Sequence, residues 1–71
     1  MHGSTIWTGD RPRCQFCGHK LIAFIDGKTR RGPWAIMCPQ CFLREGIGVG
    51  PGQGQAYLMN METGQYEKVM G

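Results

Sequence analysis

The sequence predicts a small metal-stabilised β or α+β domain, and three observations support this fold class. The chain has 71 residues, so it forms one domain at most. A domain of this size buries only about 60% of its unfolded surface and usually needs disulfides or a metal for stability. Four cysteines occur as two C-x₂-C pairs, with twenty residues between the pairs. Short apolar runs separated by glycine-containing turns predict two β-hairpins.

The N-terminal residues 1–13, MHGSTIWTGDRPR, are predicted to form a flexible arm that precedes a domain of residues 14–71. Trp7 is the one large apolar residue expected to pack from this arm onto the core. The chain contains no apolar segment of signal-peptide length and none that approaches the ~18 residues of a membrane span. We therefore expect a cytoplasmic protein that does not bind membranes.

The first half of the domain is predicted to be a turn followed by a hairpin. Residues 14–20, CQFCGHK, form a tight turn that contains the first cysteine pair. The apolar runs LIAFI (21–25) and WAIM (34–37) are typical of strands. Between them, residues 26–32 begin with Asp-Gly and carry a basic tip, as expected for the hairpin turn.

The second half has two alternative structures after CPQC at 38–41. The proline fits the first position of a helix, and FLRE (42–45) would add one or two helical turns that end at Gly46. Turn, hairpin and helix would make a treble clef, which we favour, whereas an extended 42–45 would make a zinc ribbon. QAYLM (55–59) and QYEKV (65–69) predict a second, weaker C-terminal hairpin.

The cysteine spacing C-x₂-C-x₂₀-C-x₂-C is typical of a zinc site. Two residues between cysteines allow a reverse turn to direct both sulfur atoms at one point, and two such turns complete a tetrahedron with Zn–S bonds of about 2.3 Å. The predicted Zn²⁺ ligands are Cys14, Cys17, Cys38 and Cys41. Two disulfides, a redox C-x₂-C and an iron–sulfur centre are the alternatives, and a reducing compartment disfavours the first.

His19 follows the first pair closely and is a reserve ligand. With four cysteines present it is not needed, so we expect His19 and Lys20 to offset the negative charge of the sulfurs. Four thiolates also leave no open coordination position for water, which favours a structural over a catalytic metal.

Several short motifs together resemble a group of small zinc-finger proteins of phages and prophages. They are CxxCGxK, FIDGKT, GPWAIMCPQC and GVGPGQGQAY, which fall within residues 14–57. The group has no assigned biochemical activity. The resemblance therefore implies zinc and a viral origin, with the host cytoplasm as the location, and it implies no mechanism.

Five glycines occupy every second position from Gly46 to Gly54. The run contains neither the G-x-G-x-x-G fingerprint nor a P-loop, so nucleotide binding of those types is not expected. Alternate glycines give an extended segment with one bare face, which permits close approach of another backbone. The segment either packs over Trp34 or the first cysteine turn, with Ile47 and Val49 in the core, or presents its bare face to a partner.

The basic residues are concentrated in one part of the chain. The formal net charge is +3, while residues 11–44 carry +6 and residues 45–71 carry −2. Four thiolates with one Zn²⁺ would bring the total near +1, so attraction to nucleic acid is modest. Cations on the hairpin turn can neutralise phosphates. The candidate nucleic-acid contacts are Lys20, Lys28, Arg30, Arg31 and Arg44; the alternative is a solvated turn.

The sequence offers few residues for catalysis or for base stacking. Ser4 is the only serine, His2 lies in the predicted arm, and the carboxylates form no evident acid–base pair. Phe16 is expected inside the cysteine turn and Trp34 in the core, so no stacking platform is predicted. We expect a small non-enzymatic zinc protein without a small-molecule substrate, binding DNA or RNA or acting as a regulator. A protein-interaction module that modulates a host enzyme, or an accessory piece of a larger assembly, is the alternative.

Overall fold

A computed structural model describes residues 6–9 and 11–71. Its elements are β1 (Ala23–Lys28), β2 (Trp34–Met37), α1 (Pro39–Glu45), β3 (Gly54–Met59) and β4 (Tyr66–Met70). The strands form one antiparallel sheet in the order β2-β1-β3-β4, and α1 contacts β1 and β2. The structure is therefore the α+β form of the predicted fold class.

The first hairpin has the predicted second strand, whereas its first strand begins two residues later and ends three residues later than the predicted 21–25. Strand β2 has the predicted bounds, whereas β1 continues to Lys28 through an Asp-Gly pair expected to begin the turn. Asp26 and Gly27 stay extended because they pair with β2 on one side and β3 on the other. The turn is confined to residues 29–33 and is closed by Thr29, whose N–H and hydroxyl donate to the Pro33 carbonyl at 3.0 and 2.8 Å.

The two predicted hairpins are joined into one sheet by the pairing of β1 with β3. Gly27 lies opposite Gly54 in this register. A Cβ atom added to Gly54 would lie 3.1 Å from the Gly27 Cα, so the absence of side chains allows the two backbones to approach. This central pair places both hairpins on a common core.

An aromatic cluster fills the core beside β3 and β4 and consists of Trp7, Phe24, Tyr57 and Tyr66. The rings of Phe24 and Tyr57 stack at 5.0 Å, and Trp7 meets both rings edge-on. Tyr66 packs edge-on against Phe24 at 5.4 Å, and its hydroxyl donates to the Leu21 carbonyl. Both tyrosines of the second hairpin thus pack against the same residue of β1, Phe24.

Residues 6–9 of the predicted arm contact the sheet. The Trp7 N–H donates to the Tyr66 carbonyl at 2.9 Å, and Ile6 forms a bridge with Glu67, so the segment lies along the outer edge of β4. The expected packing of Trp7 onto the core is found in the aromatic cluster. Residues 1–5 and Asp10 lie outside the described residues, and the flexibility of the arm stays a prediction.

The glycine run connects α1 to β3 and folds back against the end of β1. Gly50 and Gly54 exchange two backbone hydrogen bonds of 2.8 and 3.1 Å around Gly52, whose φ of 76° favours glycine. The Ile47 N–H donates to the Lys28 carbonyl at 3.3 Å. Val49 packs on the core as expected, whereas Ile47 is about half exposed. Because glycine has no side chain, the glycines of this run allow the segment to lie close to β1.

Helix α1 begins at Pro39 and continues through FLRE, as the helical alternative predicts, so residues 42–45 are not extended. Cys38 is the N-cap and Pro39 occupies the first helical position. The helix ends at Gly46, which is extended, with φ of −84°. The ring of Phe42 fills the space that a side chain at position 46 would need, so this position requires glycine. Within residues 6–9 and 11–71, no helix is long and apolar enough to cross a membrane.

Candidate metal centre

The two cysteine turns bring four sulfur atoms to one point. The Sγ atoms of Cys14, Cys17, Cys38 and Cys41 all lie within 4.8 Å of one another, and all four are free thiols. A tetrahedral site with Zn–S bonds of about 2.3 Å has S–S edges of about 3.8 Å. The Cys17 and Cys38 sulfurs are 3.8 Å apart. The donor set therefore fits a single metal ion.

The first cysteine pair lies in a turn stabilised by backbone hydrogen bonds. Cys14 donates its N–H to the His19 carbonyl at 3.1 Å, and Gly18 donates to the Cys14 carbonyl at 2.8 Å. Gly18 has a φ of 78°, where a side chain would be strained. The glycine after the second cysteine therefore allows the chain to reverse directly behind the sulfur atoms.

The second pair is positioned by the start of α1. As N-cap, Cys38 accepts a hydrogen bond on its sulfur from the Cys41 N–H at 3.4 Å. The pairs are connected across β2, because Gln15 donates its N–H to the Ile36 carbonyl at 2.9 Å and accepts the Ile36 N–H on Oε1 at 2.7 Å. The hairpin and these two bonds bring the first turn to the helix start.

The metal centre has a buried and an exposed side. Cys14 and Cys41 are 2% exposed and belong to the hydrophobic core, whereas Cys17 is exposed and Cys38 is half-buried. A metal bound here would connect the core to the surface turn and stay within reach of solvent.

The thiol pKa values show that the four sulfurs do not all ionise easily without a cation. Burial alone would raise the pKa of Cys14, but the backbone N–H groups of Cys38, Cys17 and Phe16 lower it to about 6. Hydrogen bonding to Cys38, burial and the nearby Cys14 thiolate raise the pKa of Cys41 to about 12. One thiolate forms readily and disfavours the next, and a divalent cation would remove this repulsion.

Cys17 follows the same pattern with a local compensation. The backbone N–H of His19 lowers the pKa of Cys17, but the neighbouring Cys14 and Cys38 thiols and burial outweigh it and raise the pKa overall. The His19 ring also lies beside this sulfur, with Nδ1 at 3.3 Å from Sγ. His19 thus contacts a cysteine of the candidate metal centre, and its charge-offsetting role stays a prediction.

Arg44 also lies beside the metal centre. Its Nη2 donates to the Cys41 sulfur at 3.5 Å from the following helical turn. The spacing of three residues on a helix brings such side chains together, and this is the signal by which the contact is recognisable in the sequence. From the sequence, Arg44 is expected only as a nucleic-acid contact.

The structure separates the other predicted nucleic-acid contacts into two places. We define the basic tip as Lys28, Arg30 and Arg31, which are exposed at one end of β1. The Arg30 N–H donates to the Glu45 carbonyl at 2.8 Å, so the tip adjoins the end of α1. Lys20 precedes the other end of β1, whose six residues span about 17 Å, and pairs there with Arg13.

Two aromatic side chains differ from their expected positions. Phe16 is 44% exposed and Trp34 is 46% exposed, rather than inside the cysteine turn and the core. They line a cleft of about 280 Å³ that also contacts Gln15, Thr29, Arg31 and Pro33, which we name the Trp34 cleft. The only sequence signal is that Trp34 follows Pro33 at the start of an edge strand.

The fold and the site define a small α+β domain with a four-cysteine metal centre. The turn before the hairpin and the start of α1 each contribute two sulfur atoms to this candidate centre, and β3 and β4 extend the sheet away from β2. Comparison of the chain with protein-family models, curated proteins and solved structures finds no match in any of the three. The function is therefore argued from the residues themselves.

Proposed function

We propose that the protein is a non-enzymatic structural zinc domain of the treble-clef type. The observation that carries this proposal is the approach of four cysteine sulfurs to within 4.8 Å of one another. Closed sites with four thiolates are typical of structural zinc and of iron–sulfur centres, and four ligands leave no open position for a reacting water. The turn, the hairpin and α1 follow one another in treble-clef order.

Metal analysis of the purified protein tests this part directly. We expect one Zn²⁺ per chain by mass spectrometry under native conditions, and a cobalt-substituted protein with the visible absorption of a tetrahedral thiolate site. A coloured protein that contains iron, or a protein whose cysteines are fully oxidised, would contradict the assignment.

The proposed function of this domain is to bind nucleic acid through the basic tip. The three cations are exposed at the end of β1 and on the following turn, whose shape is fixed by Thr29 and by the bond from Arg30 to α1. Because the backbone of the turn is already ordered, binding to phosphates costs little conformational entropy beyond the ordering of the arginine side chains. Each neutralised phosphate also contributes to an affinity that falls with salt.

The test is a titration of the zinc-loaded protein with single-stranded and duplex DNA and RNA at low and near-physiological salt. Replacement of Arg30 and Arg31 by Ala should weaken binding and reduce the salt slope for single strands by roughly 1.4, since each lost phosphate contact contributes about 0.7. Replacement of Arg11 and Arg13 by Ala removes the same charge elsewhere and is the matched control. Equal losses in both double variants would show a diffuse charge effect and contradict the tip.

A second candidate function is binding of a protein, and it is favoured by the face of the sheet opposite the aromatic cluster. Leu58 and Met70 are about half exposed on β3 and β4. Exposed apolar groups on a sheet are typical of interaction surfaces. The resemblance to phage zinc fingers supports a host enzyme or a larger assembly as the partner. Leu58→Asp should abolish either the capture of a protein partner that remains bound after nuclease treatment, or self-association measured by sedimentation. A variant that retains both would contradict this candidate.

A further inference from the structure

We propose that the Trp34 cleft receives one unpaired nucleobase, so that the nucleic acid bound by the domain is single-stranded. The proposal rests on the proposed nucleic-acid function and adds the kind of strand that is recognised. It follows from the walls of the cleft, from their rigidity and from the charge beside them.

The walls are two aromatic side chains that the core does not use. Phe16 and Trp34 are 44% and 46% exposed. Within the described part of the chain, all close ring pairs lie inside the aromatic cluster, so neither Phe16 nor Trp34 packs against another ring there. The cleft of about 280 Å³ lies just below the roughly 300–1,000 Å³ typical of pockets for drug-sized ligands. It therefore suits a single flat ring.

Hydrogen bonds hold the walls in place. Gln15, which precedes Phe16, forms two backbone-directed bonds of 2.9 and 2.7 Å with Ile36. These bonds join the cysteine turn to the outer edge of β2, on which Trp34 lies. On the third side, the Thr29 hydroxyl donates to the Pro33 carbonyl and is itself buried. The backbone that carries the two rings is thus fixed before a ligand arrives, which lowers the entropic cost of binding.

The charge beside the cleft fits a strand with a phosphate next to the bound base. Arg31 lines the cleft and belongs to the basic tip. An aromatic surface next to cations is the combination used for single strands, because every base has a face that stacks and every linkage carries a phosphate. In a duplex the bases are already stacked and paired, so a duplex reaches the cations but not the cleft.

The experiment uses the zinc-loaded full chain labelled with 5-fluorotryptophan. Its two tryptophans give two ¹⁹F resonances, assigned with the Trp34→Phe variant. A single-stranded oligothymidylate should shift the Trp34 resonance and leave that of Trp7, which packs in the aromatic cluster, unchanged. A duplex of the same length should move neither.

Affinity measurements on variants provide the second readout. Trp34→Ala and Phe16→Ala should each weaken single-strand binding by roughly tenfold while duplex affinity changes little, and Trp34→Phe should restore most of the loss. Met61→Ala removes a 75%-exposed apolar side chain on the turn between β3 and β4 and is the control. Zinc content and the dispersion of the ¹H NMR spectrum report whether each variant is folded. If Trp34→Ala does not fold, Phe16→Ala and Trp34→Phe still test the cleft.

The outcomes separate this inference from the proposed function. Binding that is lost with the basic tip but is unchanged by Trp34→Ala and equal for single strands and duplex would keep the function and overturn the cleft. Absence of binding to any nucleic acid at low salt would overturn both. A proline-rich peptide that shifts the Trp34 resonance, while the oligonucleotide does not, would assign the cleft to a protein ligand and overturn the base.

Discussion

The metal centre and the aromatic cluster stabilise different regions of the same small sheet. Beside β2 and α1, the buried groups include the apolar side chains of Met37 and Ile25 and the sulfurs of Cys14 and Cys41, which repel one another when ionised. Beside β3 and β4, the buried groups are rings that attract one another without any cofactor, at centroid distances of 5.0 to 5.6 Å. The comparison teaches that one region contains buried sulfurs whose repulsion a bound cation would remove, whereas the contacts of the other region are attractive without a cation.

Removal of the metal should have the largest effect and would test whether the aromatic region folds alone. Zinc binding to such sites provides roughly 10–16 kcal/mol, which equals or exceeds the stability of a typical small domain. A chelator should therefore unfold the whole chain, with loss of the near-ultraviolet circular dichroism of the aromatic cluster, and added Zn²⁺ should restore it. Persistence of that signal without metal would show two independent regions.

Truncation of the aromatic cluster should have the next largest effect. Phe24 is 1% exposed and contacts the other three rings. Phe24→Ala should lower the free energy of unfolding by about 3–5 kcal/mol in saturating zinc. Denaturant titration measures this, with Leu43→Ala on the exposed face of α1 as the control. A loss no larger than that of Leu43→Ala would mean that the metal centre alone carries the fold.

Acid should affect the metal centre more than the aromatic cluster. The metal-free pKa of Cys14, about 6, is lower than its ordinary value, so its thiolate is available above that pH and is lost as the pH falls through it. Cys41, with a pKa of about 12, must release its proton to the metal throughout this range. We expect zinc affinity, measured by chelator competition, to fall with decreasing pH and to fall more steeply below about pH 6. An unchanged slope there would contradict the Cys14 assignment.

The smallest expected effect concerns a carboxylate beside the aromatic cluster. Burial raises the pKa of Asp26, and burial together with the Asp26 charge raises that of Tyr57. A raised carboxyl pKa means that ionised Asp26 destabilises the folded state above that pKa, and that the penalty disappears as the pH falls through it. Asp26→Asn should therefore stabilise the zinc-loaded protein at pH 7 by less than about 1 kcal/mol. Glu62→Gln, at an exposed carboxylate, should leave the melting temperature unchanged; equal shifts in both variants would remove the special role of Asp26.

The sequence predicted those parts that depend on local spacing. The C-x₂-C pairs with glycine after the first and proline inside the second indicated a metal centre, because each turn positions its own sulfurs. Strand β2 and the approximate positions of β3 and β4 followed from short apolar runs. These features require only neighbours in the chain, so the pattern of residues is sufficient.

The tertiary structure decided what depends on contacts between distant segments. Residues 26–28 extend β1 instead of turning, because β2 pairs with all three and β3 pairs with Asp26 and Gly27 on the other side. Phe16 and Trp34 are exposed at the place where Gln15 joins the cysteine turn to the edge of β2. Arg44 lies against the metal centre, and Lys20 at the far end of β1 from the basic tip. Chain order specifies which residues are present, but the pairing of segments far apart in sequence determines which of them share a surface.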